Sequence, residues 1–365
     1  MTLFLSGDVM TGRGIDQVLP HPSDPQLFEP FMTSARGYVS LAEDANGPIP
    51  RPVDFAYVWG DALAELEARR PDVRVINLET AVTTRAEPDP KGINYRMSPA
   101  NAPVLTAAKV DCCVLANNHV LDWKAPGLME TLATLEEDGI RTAGAGRDAE
   151  EAEAPAVLPV GADTRVLVFG FGAPSSGIPP DWAATDGQAG VDFLADHSPA
   201  TIRRIGGRVR EVKRPGDVVV ASIHWGPNWG YGIPERQVAF AHGLIDDAGV
   251  DLVHGHSSHH PKGIEVYRGR LILYGCGDFL NDYEGISGYE AYRDDLVLMY
   301  LPSVRAADGT LARLTMVPFR IRNFRLNRAS PEEAAWLAET MEREGRKFGT
   351  SVRLERHGTL TLAWS

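Results

Sequence analysis

Cysteine is scarce in this chain: three residues in 365, with Cys112 and Cys113 adjacent in an apolar run and Cys276 far from both. Neighbours in a strand point to opposite faces, so no disulfide framework is expected and a reduced, cytoplasmic chain is. Long apolar runs are missing too. Nowhere do about 18 apolar residues follow one another, and the first run, Leu3 to Leu5, meets Gly7-Asp8 at once, so neither a membrane span nor a signal peptide is expected. Basic blocks are absent: 36 Lys plus Arg stand against 49 Asp plus Glu, a net charge of −13, with no aromatic-basic interleaving. Nucleic acid is therefore not an expected partner. There is no internal repeat or low-complexity segment, and the length leaves one or two domains open.

Histidine, by contrast, is concentrated. Four of the ten fall between His254 and His260, in VDLVHGHSSHHPKGIEVYRGRLILYGCGDFLNDY (residues 250–283). The apolar runs around Val253 and Leu271 to Tyr274 read as buried strands whose C-terminal ends deliver polar residues to one region, the end at which α/β sheets bind ligands. A histidine cluster before Pro261 also fits a solvated turn. Other strand ends carry similar cargo.

Met1 to Leu5 leads to Asp8 and a glycine-rich turn. Asp16 to Pro52 holds seven prolines and no clear period, and it reads as an excursion over the site. Phe55 to Arg70 is predicted as one amphipathic helix stopped by Pro71. Val73 to Ile76 is a strand ending at Glu79. Val110 to Leu115 ends at Asn117-Asn118-His119, with Asp122 close behind. A covering helix spans Pro126 to Glu137. Arg165 to Phe171 and Val218 to Ile223 are further strands, the latter delivering His224 and the aromatic stretch Trp225, Asn228, Trp229 and Tyr231. Gln237 to Ala248 is helical. Leu296 to Leu301 and Leu314 to Ile321 read as antiparallel strands, and Ser330-Pro331-Glu332-Glu333 is a capping box opening a last helix.

Collected, the strand ends offer Asp8, Glu79, Asn118, His119, His224, His256 and His259. Carboxylate, amide and imidazole together suit a hard-to-borderline divalent cation (Ca, Mn, Mg or Zn), and no organic cofactor is expected.

Gly7-Asp8-Val-Met-Thr-Gly-Arg13, Asn77-Leu-Glu79, Ala116-Asn-Asn118-His119, His224-Trp-Gly226, Gly255-His256-x-x-His259 and Gly275-x-Gly-Asp278-Phe resemble, in order and spacing, the CapA family. That family is associated with poly-γ-glutamate capsule synthesis and belongs to the calcineurin-like metallophosphoesterase superfamily. The resemblance implies a four-layer α/β/β/α sandwich with a metal site at the strand C-terminal ends. Its members commonly carry an N-terminal membrane anchor, which the opening residues here do not resemble. Metallophosphoesterases open with Asp-x-His and bridge two metals with the Asp of a Gly-Asp motif. Here Met10 replaces that histidine and Glu79 takes the bridging position.

A single CapA-type metal-dependent domain over residues 1–325 is expected, with a C-terminal helix and tail, 326–365, packed on it. Three functions stay open: a metal-dependent acid/base enzyme that inverts a peptide residue at Cα, a hydrolase of phosphoesters or amides using metal-activated water, and a non-catalytic polymer-binding factor. For the first, Asp8, His119, Asp122, His256 and His259 are candidate catalytic groups, and Asp8, Glu79, Asn118, His224 and His256 candidate ligands. Arg13, Trp225, Asn228, Trp229, Tyr231 and Asp278 are expected around a peptide substrate.

Overall fold

The computed structural model describes residues 1–364. Two sheets dominate a mixed α/β architecture. The first has ten strands, and its parallel half runs outward from Leu3–Val9 through Val73–Leu78 and Cys112–Val114 to Arg141–Ala143. On the other side of Leu3–Val9 the pairing is antiparallel, through Leu296–Val304, Leu311–Ile321 and Leu360–Trp364 to Thr350–Leu354 at the edge. Asp278–Leu280 pairs in parallel with the end of Leu3–Val9. The second sheet has six strands: Arg270–Leu273, Leu252–His256, Val218–His224 and Thr164–Gly172 lie parallel, flanked by antiparallel Ile264–Tyr267 and Ala156–Val160.

Parallel strands covered on both faces read as continuous apolar runs, and Val218 to Ile223 follows that rule. Val218 and Val220 pack between the sheets with Leu3, Leu5, Val75 and Leu252, while Val219, Ala221 and Ile223 pack outward against the helices Pro199–Val212 and Glu235–Asp246. The outer face of the first sheet is covered through Ile15, Val39, Leu66 and Leu132, from the helices Arg13–Val18, Arg36–Asn46, Ala62–Arg69 and Lys124–Glu137. Each such side chain contributes roughly 1.5–3 kcal/mol on burial.

The same alternation builds the site. Val218 and Val220 are followed on their face by Ser222 and His224, and Leu252 by His254 and His256. The layer between the sheets is thus apolar where these strands begin and polar where they end.

Two predicted elements need correction. The Asp16 to Pro52 excursion contains a helix, Arg36–Asn46, because residues 31–47 between Pro30 and Pro48 are free of proline and bring Tyr38, Val39 and Ala42 to one buried face. The single helix over Phe55 to Arg70 is instead a 3-10 turn, Tyr57–Trp59, and a helix, Ala62–Arg69. Gly60 between them has φ +45°, and a Cβ there would lie 2.2 Å from the Leu326 carbonyl oxygen. The capping box is present in full, with Ser330 and Glu333 bonding reciprocally at the start of Pro331–Gly345. Beyond residue 325 the chain also adds strands to the first sheet, Leu326–Arg328 among them. All three cysteines are free and buried. Among the described residues no helix is long and apolar enough to cross a membrane.

Candidate metal centre and cleft

Asp8 reaches the site through a backbone irregularity. Simple alternation would put it on the Phe4 face, but the pairing with Val73–Leu78 shifts register between Leu5 and Asp8. Its carboxylate then accepts hydrogen bonds from Asn77 Nδ2 at 2.7 Å and from the Ser257 backbone N–H at 3.1 Å. Ser257 holds φ at +95°, a strained conformation for a residue with a side chain. Glycine makes the approach possible: a Cβ on Gly7 would lie 1.7 Å from the Gly277 carbonyl oxygen, and that contact sets Asp8 beside Asp278.

Two groups of side chains that could hold a metal ion share Asp8, the first with His224 and His256, the second with His259 and Asp278. In the first, the Nδ1 atoms of His224 and His256 lie 2.8 Å apart, and Asp8 Oδ1 lies 3.9 and 3.8 Å from them. Glu79 Oε1 is 3.8 Å from both His224 Nε2 and His119 Nε2, and its buried Oε2 has no hydrogen-bond partner. Burial, and then Asp278, push the Asp8 carboxyl up to about 7. Glu79 is likewise raised, by burial and by Asp8. Burial holds His224 and His256 well below the usual imidazole range, which keeps both neutral. Neutral imidazoles, crowded carboxylates and an orphaned carboxylate oxygen fit a divalent cation.

Two imidazole–carboxylate pairs flank this centre. His119 Nδ1 lies 2.6 Å from Asp122 Oδ2, and Asp122 also accepts from Lys91 Nζ and the Tyr95 N–H. Burial pulls His119 down to about 4, despite Asp122. His259 Nδ1 lies 2.8 Å from Asp278 Oδ1, and its Nε2 is 2.9 Å from the Asn228 side-chain amide. For His259 burial pulls downward, but Asp278 and Asp8 outweigh it and the imidazole is raised. His259 opens onto a cleft of about 590 Å³ walled by Phe31, Met32, Tyr38, Ile93, Trp229 and Tyr289. Trp229 stacks on Tyr289 at 4.0 Å.

The family description "Bacterial capsule synthesis protein PGA_cap" matches residues 2–283, the span that holds Asp8, Glu79, His224, His256 and both imidazole–carboxylate pairs. This chain belongs to that family. A "Probable polyglutamine synthesis accessory protein" of Mycobacterium tuberculosis is 50% identical over 354 residues, 96% of this chain and 93% of the relative. The "PGA biosynthesis protein CapA" of Bacillus subtilis is 26% identical over 294 residues, 80% of this chain and 66% of the relative. The "Capsule biosynthesis protein CapA" of Bacillus anthracis is 28% identical over 326 residues, 88% and 68% respectively.

In this PGA_cap chain Asp8, Glu79, Asn118, His119, Asp122, His224, His256, His259 and Asp278 come together. Asn118 Oδ1 lies 2.8 Å from His224 Nε2, so it braces a candidate ligand. Of the closing histidines, His259 pairs with Asp278, whereas His256 contacts Ser222 and His224. Two expected substrate contacts, Trp225 and Tyr231, lie away from the cleft lining. Trp225 is 1% exposed, packed on Phe240 and Tyr274 with its Nε1–H donated to the Tyr274 carbonyl. Tyr231 lies outside the cleft lining, against His260 and under Arg343. Arg13 borders the cleft, but its guanidinium is engaged by Asp282 and Glu29 and stacked on Tyr38 and Tyr95. Asn228 and Trp229 do line the cleft. Sequence reading missed Lys91 and Tyr95, which lie in a loop without pattern, and Ser222, which shares the alternating face of His224 and was legible there.

Proposed function

We propose that the chain is a metal-dependent acid/base enzyme acting on a peptide, a polyglutamine or PGA chain by the names of its relatives, and inverting a residue at Cα. The observation that carries this is the pair of imidazole–carboxylate dyads on opposite flanks of Asp8. In the strand order Asp278 stands on one side of Asp8, and Glu79 and then His119 on the other. Inversion needs a base on one face of Cα and an acid on the other. The environments drive the two imidazoles apart in the required sense. His119, pushed down to about 4, is neutral at pH 7, and with Nδ1–H held by Asp122 its Nε2 is free to take a proton. His259, raised by Asp278, keeps one to give. A divalent ion at Asp8, His224 and His256 supplies a Lewis acid for the carbonyl next to that Cα. Asp8 and Glu79 hold the charge for it, and Asn118 orients His224. The sheet pair with helices on its outer faces supports a calcineurin-like four-layer sandwich.

The sharing of Asp8 by two ligand sets favours a second reading, hydrolysis at a two-ion site. Incubation of the Mn2+-loaded protein with glutamyl and other peptides in deuterated water separates them. Deuterium at Cα without cleavage is expected; new termini support hydrolysis, and neither change overturns both.

A further inference from the structure

Two side chains outside both ligand sets, Ser222 and His254, lie beneath His256 in a chain of contacts that ends on the backbone of the opposite sheet. In the parallel pair Ser222 stands opposite His254 and His224 opposite His256, all on the face between the sheets. His254 Nε2 lies 2.8 Å from the Ser6 carbonyl oxygen, and its Nδ1 lies 2.9 Å from Ser222 Oγ. Ser222 Oγ is in turn 3.0 Å from His256 Nε2.

We propose that this relay fixes the tautomer of His256, so that its Nδ1 lone pair is presented to the metal centre. The chain can be read from its fixed end. A carbonyl oxygen only accepts, so the proton of His254 sits on Nε2. The ring meets two partners, Ser6 and Ser222, and no carboxylate that would balance a second proton, so its Nδ1 is bare. That nitrogen accepts a hydrogen bond from the Ser222 hydroxyl. Ser222 Oγ is left as an acceptor, and the group facing it, His256 Nε2, must donate. His256 is then protonated on Nε2 alone. Its Nδ1, 2.8 Å from His224 Nδ1 and 3.8 Å from Asp8 Oδ1, carries the lone pair. Ser222 and His254 are thus positioning residues, acting on the metal through His256. Partners that orient a ligating histidine are worth roughly 10- to 100-fold in metal affinity. The proposal rests on the metal reading above, but the tautomer can be judged without it.

The test is made on full-length protein labelled with 15N in histidine. Long-range proton–nitrogen spectra of the metal-free wild type are expected to show His256 protonated on Nε2. In Ser222→Ala the preference should weaken, and Mn2+ affinity measured by calorimetry should fall roughly 10- to 100-fold, with the melting temperature little changed; Ser222→Thr, which keeps the hydroxyl, should restore both. A wild-type His256 protonated on Nδ1, or a Ser222→Ala protein that binds Mn2+ as the wild type does, overturns the relay. The wild-type spectrum decides by itself if Ser222→Ala does not fold. Nε2 protonation in a wild type that binds no Mn2+ overturns the metal reading and leaves the relay standing.

Discussion

His119 and Asp8 are the residues on which the proposed chemistry turns. His119→Ala should lower kcat by roughly 100- to 10,000-fold, the span of general acid/base help, with metal content unchanged. Loss of metal in the same variant would make His119 a ligand instead. Asp8 gives a pH signature in protein stripped of divalent ions. Its folded carboxyl is raised from 3.8 to about 7, so between those values folding takes up a proton that the unfolded chain has released. The associated stability is complete below about 4 and is lost as pH rises through about 7. Asp8→Asn stays neutral throughout. Its melting temperature relative to stripped wild type should therefore climb from pH 4 to pH 8, and a flat difference would contradict a protonated Asp8.

At the level of elements, the close contact of the strand ends at Gly7 and Gly277 holds Asp8 against Asp278. Gly7→Ala should destabilise the fold on the order of 3 kcal/mol and weaken Mn2+ binding, because a methyl group cannot sit 1.7 Å from a carbonyl oxygen. Gly207, in the helix Pro199–Val212, has open space within 4 Å of where a methyl group would stand, so Gly207→Ala should be neutral or stabilise by about 0.5–1 kcal/mol. Urea melts of the two variants make the comparison. The cleft wall has its own test: Trp229→Ala removes the Tyr289 stack and should raise KM roughly 10-fold or more with a smaller effect on kcat. An equal fall in kcat would point to misplacement of His259, whose ring centre is 5.3 Å from that of Trp229. These elements differ in how far the sequence disclosed them. Val218 to Ile223 and Leu252 to His256 were legible because a buried parallel strand needs apolar residues on both faces. The helix Arg36–Asn46 was hidden by the prolines around it, and the break at Gly60 by an apolar period that runs through the glycine.

Across the whole molecule, the candidate metal-binding groups come from both sheets: Asp8 and Glu79 from the ends of the first, with Asn118 bracing His224, and His224 and His256 from the second. Their identities were readable, since a polar residue closing an apolar strand has few other reasons to be there. Their pairings were not. Asp278 choosing His259, and Ser222 serving His256, depend on a register shift at Asp8 and on how two sheets face each other, neither of which a linear pattern encodes. The same holds for Arg13, whose Asp282 partner is 269 residues away. The most direct measurement is the manganese content and anomalous diffraction of Mn2+-loaded wild type, His256→Ala and His259→Ala. A single ion beside Asp8, His224 and His256, lost in His256→Ala and kept in His259→Ala, is the predicted result; no ion in the wild type, or an ion that survives His256→Ala and disappears in His259→Ala, would contradict it.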